Sequence, residues 1–166
     1  YNQYNSSLLP LPNTTSNIRV SGLNYDSDGN LWICNSGVST SVSVRTPEGT
    51  WHSFVVPQID EDERPSRLIC DRYGNKWILT PYSGGPGGLV VYNENKTFNN
   101  SSDDRTRIFA ISDTAGSLVN LNVLCIAEDH DGQIWIGTEE GGQVFYSPEN
   151  AFTSGTSFQQ IQIELE

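Results

Sequence analysis

Short apolar runs alternate with turn-forming residues along the whole chain. Apolar segments of strand length occur at 20–25, 67–70 and 123–128, and each is followed by a turn and a second apolar run that contains Trp. No segment has an apolar residue at every third or fourth position, which is the spacing that an amphipathic helix needs. The pattern therefore predicts an all-β fold with almost no helix.

One constellation, Asp-x-x-Gly-x-x-Trp, recurs three times. The copies are Asp26, Gly29 and Trp32; Asp71, Gly74 and Trp77; and Asp129, Gly132 and Trp135. An Asp carboxylate can accept hydrogen bonds from the backbone amides of a tight turn, and Gly supplies the positive φ that such a turn needs. Each copy therefore predicts a β-hairpin in which Asp and Gly form the turn. All three Trp side chains are expected in the core.

Two further strands follow each hairpin. The third strands are predicted at 41–45, 89–92 and 143–146, and the fourth strands at 51–56, 106–111 and 158–163. Four short antiparallel strands in about 45 residues are typical of a β-propeller blade. A sandwich or a jelly roll is the alternative, but neither has a reason to repeat a Trp and a turn at this spacing. We therefore expect about three four-stranded blades.

The expected organisation is a fragment of a larger propeller. Residues 1–17 are assigned to the last strand of a preceding blade plus a crossover, 18–57 to the first blade, 58–112 to the second and 113–166 to the third. A polar insert at 97–104 lengthens the second blade. Propellers usually have about four to eight blades, so three cannot close a ring. Met is absent even at position 1, which also suggests a piece of a longer protein.

An excised set of blades is expected to self-associate. Each blade normally buries both faces against its neighbours, so the terminal blades would expose apolar surface. Residues 1–5 are also expected to pair with the incomplete end of another copy. The expected partners are thus the other blades of the full propeller and, in isolation, further copies of the chain.

The third copy of the motif is the most complete. It continues after Trp135 as Ile-Gly-Thr and is followed by Gly141 and Gly142, and in this form it resembles the two-component regulator propeller repeat. The first two copies depart from that repeat after the Trp. Longer segments at 43–54, 71–77 and 144–152 are similar to PorZ-type propeller proteins of the type IX (Por) secretion system.

The resemblance implies an exported protein of Bacteroidetes type, located in the periplasm or at the cell surface. It implies no catalytic residues. The favoured function is a non-enzymatic structural and interaction module of the secretion type. The alternative is the periplasmic, glycan-sensing propeller of a hybrid two-component sensor. An enzyme of the propeller lyase or glycosidase type ranks third.

Composition and charge narrow the chemistry. The formal net charge is −11 and the isoelectric point is about 4.4, which disfavours binding to nucleic acid. No apolar run approaches the roughly 18 residues of a membrane span. Cys34, Cys70 and Cys125 lack zinc-ligand spacing and are expected as small buried hydrophobic residues. The two histidines, His52 and His130, fall at different positions of different blades. We therefore predict no cofactor and no catalytic site.

The Asp turns have some similarity to calcium-binding loops. Gly stands at the fourth position here, whereas an EF-hand places it at the sixth. Tyr73 also replaces the second carboxylate in the middle copy. A turn-forming Asp accounts for all three copies and calcium for only two, so we predict structural turns and no metal site.

Strand alternation divides the loops between two faces. The Asp turns and the third-to-fourth turns share one face, and the second-to-third loops and the crossovers share the other, where propellers commonly bind ligands. The candidate binding residues on that second face are Asp60, Glu61, Asp62, Glu63, Arg64, Tyr82, Glu139 and Glu140. The acidic run would attract a basic partner or a cation, and Tyr82 would stack on a sugar ring or a peptide. A solvated loop and a packed ring are the more common roles of such residues. A protein, glycan or lipopolysaccharide partner is compatible with this set.

Overall fold

Three four-stranded antiparallel sheets follow one another along the chain. The computed structural model describes residues 1–59, 61, 62, 64–80, 88–109, 111 and 123–161. The first sheet contains β1 (Val20–Tyr25), β2 (Leu31–Asn35), β3 (Val42–Arg45) and β4 (Trp51–Phe54). The second contains β5 (Arg67–Cys70), β6 (Lys76–Thr80), β7 (Gly88–Asn93) and β8 (Arg105–Phe109). The third contains β9 (Val123–Glu128), β10 (Ile134–Thr138), β11 (Gly141–Phe145) and β12 (Gln159–Gln160).

Each sheet is an antiparallel meander, which confirms the all-β prediction. In all three sheets the strands lie side by side in sequence order, so each strand pairs with the strand that follows it in the chain. The only helical element in the described ranges is a single 3-10 turn, Pro148–Asn150. No helix in the described part of the chain is long and apolar enough to cross a membrane.

The first strands of the sheets lie next to one another and form the inner edge. β1 contacts β5, and β5 contacts β9. Gly22 is required at this approach, because a Cβ atom there would lie 2.9 Å from the backbone nitrogen of Leu68. The fourth strands, β4, β8 and β12, therefore form the outer edge.

Two hydrophobic cores lie between the sheets. We call the interface of the first and second sheets the first seam, and that of the second and third sheets the second seam. Trp32 stacks on Phe54 in the first seam and Trp77 packs on Phe109 in the second, with ring centroids 5.5 Å apart in both. The next sheet then adds aromatic rings to each seam: Tyr92 and Phe98 to the first, and Phe145 and Phe158 to the second. Consecutive strand residues of the middle sheet thus alternate between two cores, and all of β6 is buried.

Residues 1–4, which resemble the last strand of a preceding blade in sequence, form no strand in this structure. No strand is described before Val20, and the segment forms a turn in which the Asn5 amide donates to the Asn2 carbonyl oxygen at 3.1 Å. The Asn2 side chain also accepts the Tyr4 amide at 2.9 Å, so local amide side chains take the bonds that a neighbouring strand would take. The following residues pack on the first sheet, where Leu8 is buried.

Two core predictions also fail in the third sheet. Trp135 is 38% exposed, whereas Trp32 and Trp77 are fully buried. Cys125 is exposed, whereas Cys34 is buried and Cys70 is half-buried. Both exposed residues lie on the face of the third sheet that points away from the second seam. Their exposure follows because no described segment packs over that face.

Candidate functional site

The middle Asp turn shows how the recurring motif is used. Asp71 Oδ1 accepts the backbone amides of Tyr73 and Asn75, both at 2.9 Å, and Oδ2 accepts the indole N–H of Trp77 at 2.8 Å. Gly74 has a φ of 81°, which closes the turn. One carboxylate therefore fixes both the turn and the Trp of the returning strand.

The other two turns have the same geometry. Asp26 accepts the amides of residues 28 and 30 and the Trp32 indole, and Asp129 accepts the amides of residues 131 and 133 and the Trp135 indole. Burial acts to raise the pKa of both carboxyls, but these hydrogen bonds outweigh it and hold each pKa below its usual value. Because every one of these oxygens already has a donor, the geometry supports a structural role for the three Asp residues.

Each seam places one residue of the following sheet against a Trp. Lys76 Nζ lies 3.9 Å from the centroid of the Trp32 ring, and Ile134 belongs to the same core as Trp77. Lys76 and Ile134 both stand immediately before the Trp of their own repeat. Among the described residues, none is placed against Trp135 in this way, and Trp135 is exposed.

A buried ion pair replaces apolar packing in the first seam. The side chains of Lys76 and Glu94 are 1% and 5% exposed, and Nζ contacts Glu94 Oε2. The ammonium also donates to the carbonyl oxygen of Gly74 at 2.8 Å and lies over the Trp32 ring. Burial of two charges is costly unless hydrogen bonds and partners compensate them, and here the ammonium has three such partners. The corresponding residues of the other repeats, Leu31 and Ile134, are apolar.

A polar cleft of about 440 Å³ lies beside this ion pair. It is lined by the Asp turns of the first two sheets and by the β7–β8 turn, which agrees with the predicted sharing of one face by these loops. Asp28 and Lys96 pair across it at 3.4 Å and both are exposed. Asn93, Tyr73 and other polar side chains complete the lining. Such a mixture of amide, charged and aromatic groups is suited to a small polar ligand.

The second seam is closed by Arg107 of β8. Its guanidinium donates to the carbonyl oxygens of Ala151 and Thr153 at 2.8 Å, and to that of Thr156 at 2.6 Å. The same group stacks over the Phe109 ring, 4.3 Å from its centroid. Arg107 therefore fixes the loop of the third sheet against the second sheet.

The predicted binding residues fall in two separate places. Glu61 and Asp62 line a depression of about 450 Å³ together with Val56 and Ile59. Arg64 is exposed in the segment before β5. Glu139 and Glu140 are exposed in the β10–β11 turn. None of the clefts described above contains both groups, and Asp60, Glu63 and Tyr82 lie outside the described residues.

Sequence reasoning missed the Lys76–Glu94 pair and the cleft beside it. The available signal was the Lys itself, because the same position is Leu31 in the first repeat and Ile134 in the third. A charged residue at an otherwise apolar position of a repeat indicates a buried partner. The identity of that partner, Glu94, depends on the folding of β7 beside β6.

Comparison with known proteins supports the repeat assignment. The two-component regulator propeller family profile matches residues 117–140, which contain the third Asp-x-x-Gly-x-x-Trp motif. No curated protein sequence matches the chain. The profile covers one repeat and does not extend over the first two sheets.

Solved structures have the same fold. PorZ, a surface component of the type IX secretion system of Porphyromonas gingivalis, superimposes with a TM-score of 0.84 over 98% of this chain at 22% identity. The extracellular domain of BT4673 from B. thetaiotaomicron, described as a hybrid two-component system, gives 0.57 over 82% of the chain at 23% identity. Virginiamycin B lyase from Staphylococcus aureus gives 0.56 over 95% of the chain at 13% identity.

The chain spans only part of each of these proteins. It covers 22% of the PorZ chain, 16% of the BT4673 domain and 45% of the lyase. Matches at these identities establish the fold. The chain is therefore a partial β-propeller of three four-stranded sheets, and its third repeat is similar to the two-component regulator propeller repeat.

Proposed function

We propose that the chain is a non-enzymatic structural and interaction module of an exported propeller protein similar to PorZ. The observation that carries this proposal is the superposition on PorZ over 98% of the chain with a TM-score of 0.84. The BT4673 domain and the lyase superimpose much less closely. The three successive sheets therefore resemble those of the secretion component in relative placement as well as in internal topology.

The use of the polar residues supports a non-enzymatic role. The carboxylates of Asp26, Asp71 and Asp129 accept the hydrogen bonds that build their own turns. His52 lies in β4 and His130 lies in the turn of the third sheet, so they are not placed for a shared reaction. The lyase match at 13% identity shares only the fold and carries no reaction over to this chain.

The alternative function is that of a ligand-sensing propeller domain. Two observations favour it: the regulator propeller repeat at 117–140 and the polar cleft of about 440 Å³ in the first seam. In this case a ligand in the cleft would contact the first and second sheets together. It would thereby change the packing of one sheet against the other.

Deletion of the gene that encodes the chain separates the two functions. The secretion module predicts loss of type IX cargo proteins from the cell surface and their accumulation in the periplasm, measured by fractionation and mass spectrometry. The sensor predicts normal cargo and loss of a transcriptional response to a polysaccharide. Normal cargo distribution in the deletion strain would refute the secretion proposal. The proposed surface location is tested separately by digestion of intact cells with protease, which should cleave the protein if it is exposed at the cell surface.

A further inference from the structure

The fourth strand of the second sheet, β8, has one edge without a partner. β8 is hydrogen-bonded to β7, and among the described residues no other backbone pairs with its outer edge. The strand has five residues, Arg105–Phe109. An outer edge of this kind presents backbone N–H and C=O groups that can pair with a further strand.

The other two outer strands offer less to a partner. In β4 the carbonyl oxygen of His52 accepts the Ser7 hydroxyl at 3.0 Å, so the N-terminal segment lies against that strand. β12 contains only two residues, Gln159–Gln160. Among the described residues, the outer edge of β8 is therefore the longest and the least covered of the three.

A groove of about 590 Å³ lies beside the start of β8. One wall is formed by the consecutive residues 104–107, and the other by Phe152 and Ser154 of the loop before β12. Arg107 fixes this loop through hydrogen bonds to three of its carbonyl oxygens. The second wall is therefore held in place by the chain itself.

The two faces of β8 differ in chemical character. Successive side chains of a strand point to opposite faces, so Arg105 and Arg107 lie on one face and Thr106 and Ile108 on the other. Arg105 is exposed and its guanidinium lies over the Phe152 ring, 4.2 Å from the centroid. Among the described residues this guanidinium has no hydrogen-bond acceptor and no ion-pair partner. On the other face Ile108 is 45% exposed, so a strand at this edge would meet a cation on one face and an apolar side chain on the other.

We propose that β8 binds an extended peptide by strand addition, with an acidic side chain of the peptide on Arg105 and apolar side chains against Ile108. The alternation of side chains in a strand requires a peptide in which the acidic residue stands between two apolar residues. A carboxylate can accept two parallel hydrogen bonds from a guanidinium, and that of Arg105 has its donors free. The Phe152 ring orients the guanidinium by stacking on it.

The charge of the chain limits the number of acidic groups in such a peptide. The formal net charge is −11, so a polyacidic segment is repelled at long range. A single carboxylate gains a charge-assisted hydrogen bond when it reaches Arg105. The partner is therefore a mainly apolar strand with one acidic residue. The inference does not depend on whether the chain belongs to a secretion protein or to a sensor.

The test is a titration of the isotope-labelled full chain with acetyl-Thr-Val-Glu-Val-Thr-amide, monitored by two-dimensional NMR. We expect saturable shifts at 105–109 and in the loop at 151–156. Amides of alternate residues of β8 should also exchange more slowly with solvent in the complex, because only alternate residues direct their N–H groups to the outer edge. Replacement of the peptide Glu by Lys should weaken binding by about tenfold or more, because it removes a hydrogen bond between charged groups.

Two N-methylated peptides test the strand pairing itself. One carries a methyl group on the backbone nitrogen of Glu, and the other carries methyl groups on the backbone nitrogens of both Val residues. Successive N–H groups of a strand point in opposite directions, so only one of the two modifications removes hydrogen bonds to β8. We expect one methylated peptide to lose binding and the other to retain most of it.

Arg105→Gln is the decisive variant, because it removes the cation and keeps a long polar side chain. We expect it to weaken binding of the Glu peptide by about tenfold and to leave binding of the Lys peptide unweakened. Arg67→Gln, the same substitution at an exposed position of β5, is the matched control and is expected to have no effect. If Arg105→Gln misfolds, the comparison of the Glu and Lys peptides on the unmodified chain still decides whether the contact is ionic.

The proposal is wrong if the Glu peptide does not bind saturably or if its shifts lie away from β8. It is also wrong if the two methylated peptides bind equally well, or if Arg105→Gln binds the Glu peptide as tightly as the unmodified chain does. These results are independent of the deletion experiment, which tests the proposed function.

Discussion

Replacement of Lys76 by isoleucine would give the first seam the residue type that Ile134 supplies to the second. The change removes the ammonium that lies over Trp32 and contacts Glu94. The Glu94 side chain, 5% exposed, would then be a buried carboxylate without its cation. Although Lys76→Ile makes the repeat more regular, we expect it to destabilise the fold.

The magnitude follows from the burial of both partners. Loss of one member of a buried ion pair typically costs about 3–5 kcal/mol, because the remaining charge is left in a medium of low dielectric constant. Typical domains have an unfolding free energy of about 5–15 kcal/mol, so the loss would be a large share of the total. Removal of both charges avoids this penalty. The double variant Lys76→Ile/Glu94→Leu should therefore lie within about 2 kcal/mol of the unmodified chain.

Urea denaturation monitored by tryptophan fluorescence measures these differences. The matched control is Asp28→Asn, which removes one charge of the exposed Asp28–Lys96 pair and should cost less than about 1 kcal/mol. A double-mutant cycle then gives the coupling between Lys76 and Glu94. A loss below about 1 kcal/mol for Lys76→Ile, or an equal loss for the single and double variants, would refute the reasoning.

Four further predictions concern the turns, the seams and the open face. Asp71→Ala removes the acceptor of the buried Trp77 indole and of two turn amides, and it should lower the free energy of unfolding by about 2–4 kcal/mol in urea denaturation. Asp129→Ala should lower it less, because Trp135 is partly exposed and water can replace the lost acceptor. Equal losses for the two variants would contradict this. Millimolar calcium should not change the melting temperature of the chain. If calcium raised the melting temperature of the unmodified chain but not that of Asp129→Ala, the turn would be a metal site after all. The chain should self-associate through the face of the third sheet that carries Trp135 and Cys125, and sedimentation equilibrium over a series of concentrations measures this. A stable monomer that binds no hydrophobic dye would exclude this self-association. Arg107→Met removes the donors that hold the loop at 151–156 and should increase its amide hydrogen exchange without a similar change in the first sheet.

The local structure could be predicted closely from the sequence. The bounds of β1, β5 and β9 coincide with the apolar runs at 20–25, 67–70 and 123–128. These strands are defined by nearby signals, namely an apolar run that ends at an Asp turn with a fixed distance to Gly and Trp. The fourth strands were predicted less well, since β4 ends at residue 54 rather than 56. They lie at the outer edge and have a partner on one side only.

The predictions that failed have a common physical cause. Each concerned a residue whose burial or pairing depends on what packs against it from elsewhere in the chain. Trp135 and Trp77 have the same sequence context, but only Trp77 receives the rings of a following sheet. Residues 1–5 form a local turn, and no strand of the described residues pairs with them. Periodicity identifies an element and its buried face, but it does not identify the neighbour that buries it.

The clefts arise where the repeats differ from one another. In the second seam, Ile134 and two aromatic rings from the third sheet pack against Trp77 and fill the interface with apolar groups. In the first seam, Lys76 takes the place of the isoleucine and needs Glu94 as its partner, which leaves a polar cleft beside the pair. The insert at 97–104 is also found only in the second repeat, and it forms one wall of a second cleft, of about 580 Å³, opposite the end of β4. The shared Asp, Gly and Trp residues therefore build the sheets, whereas the residues that only the second repeat carries shape the two clefts of the first seam.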